Sequence, residues 1–161
     1  MFQEAGLHDL VALRNDYDDE IIRQFYATLY ISPDLMKMKW MTLTRYMECT
    51  KADFERVLRV SSSQWERIYD RPALTISGWT NHYDRDVRFV PGKIHGLLPV
   101  SSLINRIINH TILPKSGNFD AVRGHAWNII DHISKKKKFD VMDVIIRSIA
   151  SSKNDRIKRI V

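Results

Sequence analysis

The chain has 161 residues, of which 44% are hydrophobic and 27% charged, a net charge of +6 and a mean hydropathy of −0.31, a profile typical of a single globular domain. This composition excludes a collagen-like fibre, a disordered tail and a disulfide scaffold, and the single Cys49 fits a reducing compartment. No run approaches the roughly 20 apolar residues of a membrane span and the start MFQEAGLHDL lacks a signal-peptide pattern, so we expect an intracellular protein of the nucleus or cytoplasm with no membrane partner.

The first part of the sequence predicts two helices, a hairpin and a third helix. Leu7, Leu10 and Val11 form a short helical stripe. The acidic run NDYDDE then precedes a second helix over IIRQFYATLY, which ends before Ser32-Pro33-Asp34 and carries one apolar face of Ile21, Ile22, Phe25 and Leu29. Alternation in LMKMKWM and RYMECT predicts a small β-hairpin. Thr50 and Asp53 have capping-box spacing, which predicts a helix over 51–59.

The middle of the sequence is less regular. The segment SSSQWERIYDRP, with Ser61 to Ser63 at its start, predicts a short helix capped by a serine and ended before Pro72. From residue 73 to residue 98 no period is evident, and we predict an irregular connection with one short strand at Val87–Val90. A connection of this length is typical of a functional loop.

The last third predicts three helices that form the core. The first begins near Val100 and ends before Leu113-Pro114. The second is capped by Asn118 or Asp120, and its inward residues are Val122, Ala126, Ile129, Ile130 and Ile133. The third follows SKKKK, is capped by Asp140 and is largely buried, and NDRIKRIV predicts a further helix that the end of the sequence interrupts. The predicted fold is therefore mainly α, a single helical domain (residues 1–161) of about six helices with a small β-hairpin.

The order of these motifs resembles a known family. IIRQFYATLY, a tryptophan-containing strand pair, KADFERVLRV, LLPVSSLINRIINHTILPKSG and VRGHAWNIIDHISKKKKFDVMDVIIRSI together resemble the plant transposon protein domain, which accompanies plant retroelements and carries a transposase-like label. The resemblance spans residues 20–161 and is weakest over 73–98. Its motifs are helix-packing patterns, so it implies an origin and a fold, and no catalytic residues come with it.

Residues that could support catalysis each have a structural explanation. DNA transfer by metal ions needs converging carboxylates, and the candidates are Asp16, Asp18, Asp19 and Glu20, and Asp84 with Asp86. Acidic residues at a helix start are, however, favoured by capping alone. His125 and His132 are seven residues apart, whereas zinc ligands on a helix are usually four apart. We therefore expect no catalytic, cofactor-binding or metal-binding residue.

The basic residues are concentrated in the second half, where residues 81–161 carry 15 Lys and Arg against 7 Asp and Glu, while residues 1–80 carry 10 against 12. This asymmetry favours a polyanionic partner. The candidate nucleic-acid or nuclear-import contacts are Lys135, Lys136, Lys137, Lys138, Lys153, Arg156, Lys158 and Arg159. A solvated loop between two helices would also explain the lysine run. Of the four tryptophans, Trp40, Trp65 and Trp127 are expected in the core, and Trp79 is the candidate exposed contact.

The sequence leaves three functions open. Helix-packing motifs without a catalytic set favour a non-enzymatic, retroelement-derived module that binds another protein, with a second copy of itself as one candidate. Weak, sequence-nonspecific nucleic-acid binding through the basic half is the alternative. A metal-dependent transposase-like enzyme has the least support, since it depends on the family label alone.

Overall fold

The computed structural model describes the chain except residues 14, 15, 17, 63, 114–119, 123 and 159–161 and the side chains of 154–158. In the described residues the chain forms seven α-helices and three strands, with two 3₁₀ turns at Ile68–Asp70 and Thr80–His82. The elements, in chain order, are α1 (His8–Ala12), α2 (Asp19–Thr28), β1 (Tyr30–Ile31), β2 (Lys37–Thr42), β3 (Arg45–Thr50), α3 (Lys51–Leu58), α4 (Ile76–Trp79), α5 (Pro99–Thr111), α6 (Ala126–Ser134) and α7 (Val141–Lys158).

The three strands form one antiparallel sheet in the order β1-β2-β3. The predicted hairpin is β2 and β3, joined by the two residues Leu43 and Thr44, with Thr42 opposite Arg45. The short strand β1 extends it on the far side of β2, with Tyr30 opposite Lys39. Sequence analysis missed β1 because two residues are too few to show an alternation.

Side-chain caps begin the helices on either side of the sheet. The Asp18 carboxylate accepts from the N–H of Glu20 (2.8 Å) and of Ile21 (3.2 Å) at the start of α2. The predicted capping box of α3 is confirmed: the Asp53 N–H donates to Thr50 Oγ1, and the Thr50 N–H donates to Asp53 Oδ2 at 3.0 Å. These local hydrogen bonds determine the residues at which α2 and α3 begin.

The last three helices supply much of the core, as predicted, and side chains of the first half, among them Leu7, Leu29 and Ile68, complete it. Trp127, Ile129, Ile130 and Ile133 of α6 have no exposed surface, and Ile104 and Ile108 of α5 and Val144 of α7 are equally buried. Each such side chain contributes roughly 1.5–3 kcal/mol by leaving water. Asp140 caps α7 by accepting from the Asp143 N–H at 2.9 Å, as the sequence predicts.

The structure corrects several local predictions. Among the described residues of the segment predicted as a capped helix, only the 3₁₀ turn Ile68–Asp70 is helical. No strand forms at Val87–Val90; instead α4 and the second 3₁₀ turn lie within 73–98, which is less irregular than expected. One helix, α7, continues through the residues assigned to a further helix as far as Lys158.

The predicted apolar face of α2 is right for Phe25 and Leu29, which pack against the core, but not for its other two members, and the predicted Asp120 cap of α6 is wrong. Ile21 and Ile22 are 46% and 36% exposed, because α2 contacts the sheet through Gln24, Phe25 and Thr28. Helix α6 begins at Ala126, too late for Asp120 to cap it, and Asn118 lies outside the described residues. The architecture is helix-rich with an antiparallel hairpin, mixed rather than purely helical, since β1 makes the hairpin a three-stranded sheet.

Candidate functional site

The lysine run 135–138 ends helix α6. The Lys137 N–H donates to the His132 carbonyl (2.8 Å) and the Lys136 N–H donates to the Ile133 carbonyl (3.0 Å), while Lys136 has the left-handed φ of 58°. These two bonds form a Schellman motif, which satisfies carbonyls at the end of a helix. The backbone of the run therefore has a structural role.

Three of the four side chains in the run have partners within the chain. Lys135 pairs with Asp131 at 2.7 Å, Lys136 pairs with Glu4 at 2.8 Å, and Lys138 lies over the Trp65 ring at 4.9 Å from its centre. Lys137 is exposed. The run is thus partly neutralised by acidic neighbours.

The other candidate basic residues lie farther along α7. Lys153 donates to the Leu29 carbonyl, which ties α7 to the end of α2. It lies twelve residues beyond Val141, about 18 Å along the helix axis, so it is separated from the lysine run. Arg156 and Lys158 belong to α7, but their side chains and the whole of Arg159 lie outside the described part of the structure.

Trp79 is not the exposed side chain that the sequence predicted. Its ring stacks on the buried Trp127 with centroids 5.3 Å apart, and its indole N–H is buried. The reason is that α4 folds the connection back onto α6, a tertiary contact with no sequence period. Trp40 and Trp65 are half-buried, and Trp127 is in the core as expected.

The acidic candidates have local roles. Asp18 caps α2, and Asp84 Oδ1 accepts from the Asp86 N–H at 3.0 Å, which closes a turn. Within the described part of the chain, no three His, Cys, Asp or Glu residues are grouped to hold a metal ion. The ring N–H of His125 donates to the Arg71 carbonyl, and the ring N–H of His132 donates to the Asn128 carbonyl.

A buried polar cluster joins the first half of the chain to α7. Asp140, 1% exposed, pairs with Lys51, the first residue of α3. Its Oδ1 also accepts from Ser62 Oγ at 3.0 Å, and the same hydroxyl lies 2.8 Å from Glu55 Oε1. The sequence singled out Asp140 and the serines 61–63 of this cluster only as helix caps and did not predict their pairing, because the pairs are 78 and 89 residues apart and leave no local signal.

Asp143 extends this cluster by one turn of α7. Its Oδ1 accepts from Arg67 Nη2 at 2.6 Å and its Oδ2 accepts from Arg147 Nε at 2.9 Å. A cleft of about 220 Å³ opens beside Lys51, Trp65 and Arg67. Because Asp34, Asp140 and Asp143 also line it, its two cations are balanced by acids. We interpret the cluster as a set of ion pairs and hydrogen bonds that holds α3 against α7.

A second buried chain of polar groups connects α5 and α6. His82 Nδ1 lies 3.1 Å from Ser101 Oγ, and its Nε2 faces Asp131 Oδ1 at 3.4 Å without hydrogen-bond geometry. Burial lowers the pKa of His82, and the Asp131 carboxylate opposes that shift only in part. Ser101 is 3% exposed. Ser101 and His82 are therefore buried between α5 and α6, whereas Asp131 is half-buried and also pairs with the exposed Lys135.

The hairpin exposes apolar side chains that no described element covers. Leu43 is 76% exposed, Tyr46 58%, and Met41 and Met47 40% each. Residues Arg45–Glu48, here called the β3 edge, are all exposed, and among the described residues β3 pairs with β2 alone. An unpaired strand edge that carries exposed apolar side chains is typical of an interaction surface.

The turn determines which backbone groups of β3 face outward. Residues that close a two-residue hairpin exchange both hydrogen bonds, so Arg45, Met47 and Cys49 face β2 and the residues between them face away. The other side of β2 is consistent with this pattern, because the Met41 N–H points away from β3 and donates to Thr28 Oγ1 at 2.8 Å. The N–H and C=O of Tyr46 and Glu48 are therefore directed into solvent, and no hydrogen bond to them is present among the described residues.

Comparison with known proteins finds no matching family model, no matching curated protein and no matching solved structure. In the described residues no helix is both long and apolar enough to cross a membrane.

Proposed function

We propose that this chain is a non-enzymatic protein-interaction module that binds an extended polypeptide strand along the β3 edge. The observation that carries the proposal is the outward direction of four backbone groups, the N–H and C=O of Tyr46 and of Glu48. An incoming strand would satisfy all four and continue the sheet, which is how many recognition domains capture peptides.

The side chains of the edge support this mode of binding. Tyr46 lies on one face of the sheet and Met47 on the other, and both are exposed. A bound strand would bury apolar surface on both faces, at roughly 25 cal/mol per Å². Glu48 is held by Lys37 at 2.8 Å and Lys39 at 3.5 Å, so its charge is already compensated beside the edge.

The same proposal includes an origin and a compartment. The resemblance of residues 20–161 to the plant transposon protein domain supports descent from a retroelement, and that family brings no catalytic residues to this chain. The free thiol of Cys49 supports a reducing intracellular compartment, the nucleus or the cytoplasm.

The test is selection of extended peptides on the purified chain. A displayed peptide library is panned on the wild-type chain and counter-selected on Glu48→Pro, which removes one outward N–H and leaves the bonds to β2 in place. We expect binders that lose at least tenfold in affinity on the variant and that slow amide hydrogen exchange at Tyr46 and Glu48. Peptides that bind both chains equally, or the absence of any binder, would contradict the proposal.

Nucleic-acid binding is the second candidate, favoured by the excess of basic residues in the second half. Because three of the four lysines in the run already have partners, we expect affinity weaker than the charge alone suggests. Anisotropy with duplex DNA, single-stranded DNA and RNA at about 50 and 200 mM salt tests it. Micromolar binding that collapses at the higher salt, and that falls when Lys135–Lys138 are neutralised, would support it over strand addition.

A further inference from the structure

We infer that the strand received by the β3 edge is β3 of a second copy of this chain, so that two three-stranded sheets join into one six-stranded sheet about a two-fold axis at Met47. This inference rests on the proposed function and names its partner. Two-fold pairing of the same strand is necessarily antiparallel, and both edges offer the same backbone groups.

The structure selects one register. Pairing Tyr46 with Glu48 of the second copy, and the reverse, makes four backbone hydrogen bonds from the four outward groups of each edge. Placing the axis at Glu48 would set two glutamates opposite each other, and it would need the Thr50 N–H, which already donates to Asp53 at 3.0 Å. Placing it at Tyr46 would need Thr44, which lies in the turn and not in the strand.

Charge complementarity adds to this register. The Thr50 N–H points away from β2 toward the Asp53 carboxylate, so that carboxylate lies beside the free edge. In the chosen register Arg45 of the second copy stands opposite Cys49, one residue before Thr50. Arg45 is exposed and forms no ion pair with any described residue. Two symmetric Arg45–Asp53 pairs therefore flank the axis, although Asp53 also contacts its own Arg56 at 2.9 Å.

Side chains at the centre are compatible with the same register. Met47 meets Met47 of the second copy in a pair without hydrogen bonds, where side chains approach most closely. Tyr46, whose hydroxyl donates to Glu48 Oε2 at 3.3 Å within one chain, lies opposite Glu48 of the other. The axis is thus lined by thioethers on one face and by Tyr–Glu pairs on the other.

A disulfide reports the register. In a Cys49→Ser background, Met47→Cys places two thiols across a pair whose Cα atoms are about 4.5 Å apart, within the range a disulfide spans. The matched control Tyr46→Cys places its two Cα atoms about 8 Å apart, too far to bridge. We expect an oxidised dimer for Met47→Cys of at least tenfold the yield for Tyr46→Cys. A larger yield for Tyr46→Cys would overturn the register.

Sedimentation velocity over a concentration series tests the dimer without cysteine chemistry. Glu48→Pro should raise the dimer dissociation constant at least tenfold, whereas Glu48→Gln, which keeps the N–H, should change it less than threefold. Arg45→Glu should also weaken the dimer, and each variant must keep the wild-type circular dichroism spectrum and melting temperature.

The outcomes separate the two proposals. A wild-type chain that stays monomeric up to about 1 mM overturns the second-copy inference, because a dissociation constant of about 1 mM corresponds to a binding free energy of only roughly −4 kcal/mol. If the same chain still selects peptides that depend on Glu48, strand binding stands and the partner is a different protein. If it selects none, both proposals fail.

Discussion

Replacing Asp140 with alanine should destabilise the fold more than any other single acidic substitution in the described core. Asp140 is 1% exposed, and its removal leaves Lys51, 8% exposed, without its counter-ion. An unpaired buried charge costs about 3–5 kcal/mol, and the lost bond to the Asp143 N–H at 2.9 Å removes the cap of α7, which contributes about 1 kcal/mol. Because these two effects overlap, we expect the free energy of unfolding to fall by about 4 kcal/mol.

Urea denaturation followed by tryptophan fluorescence measures this loss. A change of about 4 kcal/mol is a large share of the roughly 5–15 kcal/mol that holds a domain folded, and it should lower the melting temperature by about 8–16 °C. The Lys51→Met, Asp140→Ala double variant should cost at least 1 kcal/mol less than the sum of the two single variants, because it removes both charges together.

Asp53→Ala is the matched control. Asp53 also makes capping bonds and an ion pair, but its side chain is 41% exposed and that of its partner Arg56 is 79% exposed. Asp53→Ala should therefore lower the free energy of unfolding much less than Asp140→Ala, measured at concentrations where the chain is monomeric. If Asp140→Ala lowers the free energy of unfolding no more than Asp53→Ala does, burial of the Lys51–Asp140 pair does not add to stability.

Three further outcomes are expected. Arg59 ends α3 with φ 54°, so Arg59→Gly should stabilise the fold by about 1 kcal/mol in urea titration, whereas Arg59→Ala should not. Burial lowers the pKa of His82 below its unfolded value, so the unfolded chain takes up a proton at this position at higher pH than the folded chain does. The free energy of unfolding should therefore fall as pH drops below about 6.5. If the slope of the free energy of unfolding against pH is the same in His82→Asn, this assignment is refuted. Gly96→Ala should destabilise the fold by about 2–4 kcal/mol, because φ is 82° and a Cβ would lie 2.7 Å from the Phe89 Cβ. Gly6→Ala, where φ is 74° and the space is open, should destabilise it by about 1 kcal/mol. Thermal melting measures both, and equal losses of stability would contradict the steric explanation.

Predictions from sequence succeeded where the structure is determined within a few residues. The alternation in LMKMKWM and RYMECT, the Thr50–Asp53 spacing and the apolar period of α5 each specify an element by local rules. The predicted helix after Ser61 failed because Ser62 is drawn into contact with Glu55 and Asp140, and this distant contact outweighs local preference.

The candidate site was less accessible to sequence reasoning. Basic runs and tryptophans are conspicuous in a sequence, yet Lys136 and Trp79 contact distant parts of the fold and Lys135 pairs with Asp131 one turn earlier. The β3 edge has no compositional signal, because an unpaired strand edge is a property of topology. It could be inferred only once the sheet order and the hairpin register were known.

The Lys51–Asp140 pair also affects how the chain folds during its synthesis. The two residues are 89 positions apart, so at roughly 5–20 residues per second about 4–18 seconds pass between their translation. During that interval the sheet and α3 can form, but Lys51 has no counter-ion and Ser62 lacks one of its two acidic neighbours. The nascent first half therefore presents its open strand edge before α7 can anchor it, and a chaperone acting on this protein would be needed most in those seconds.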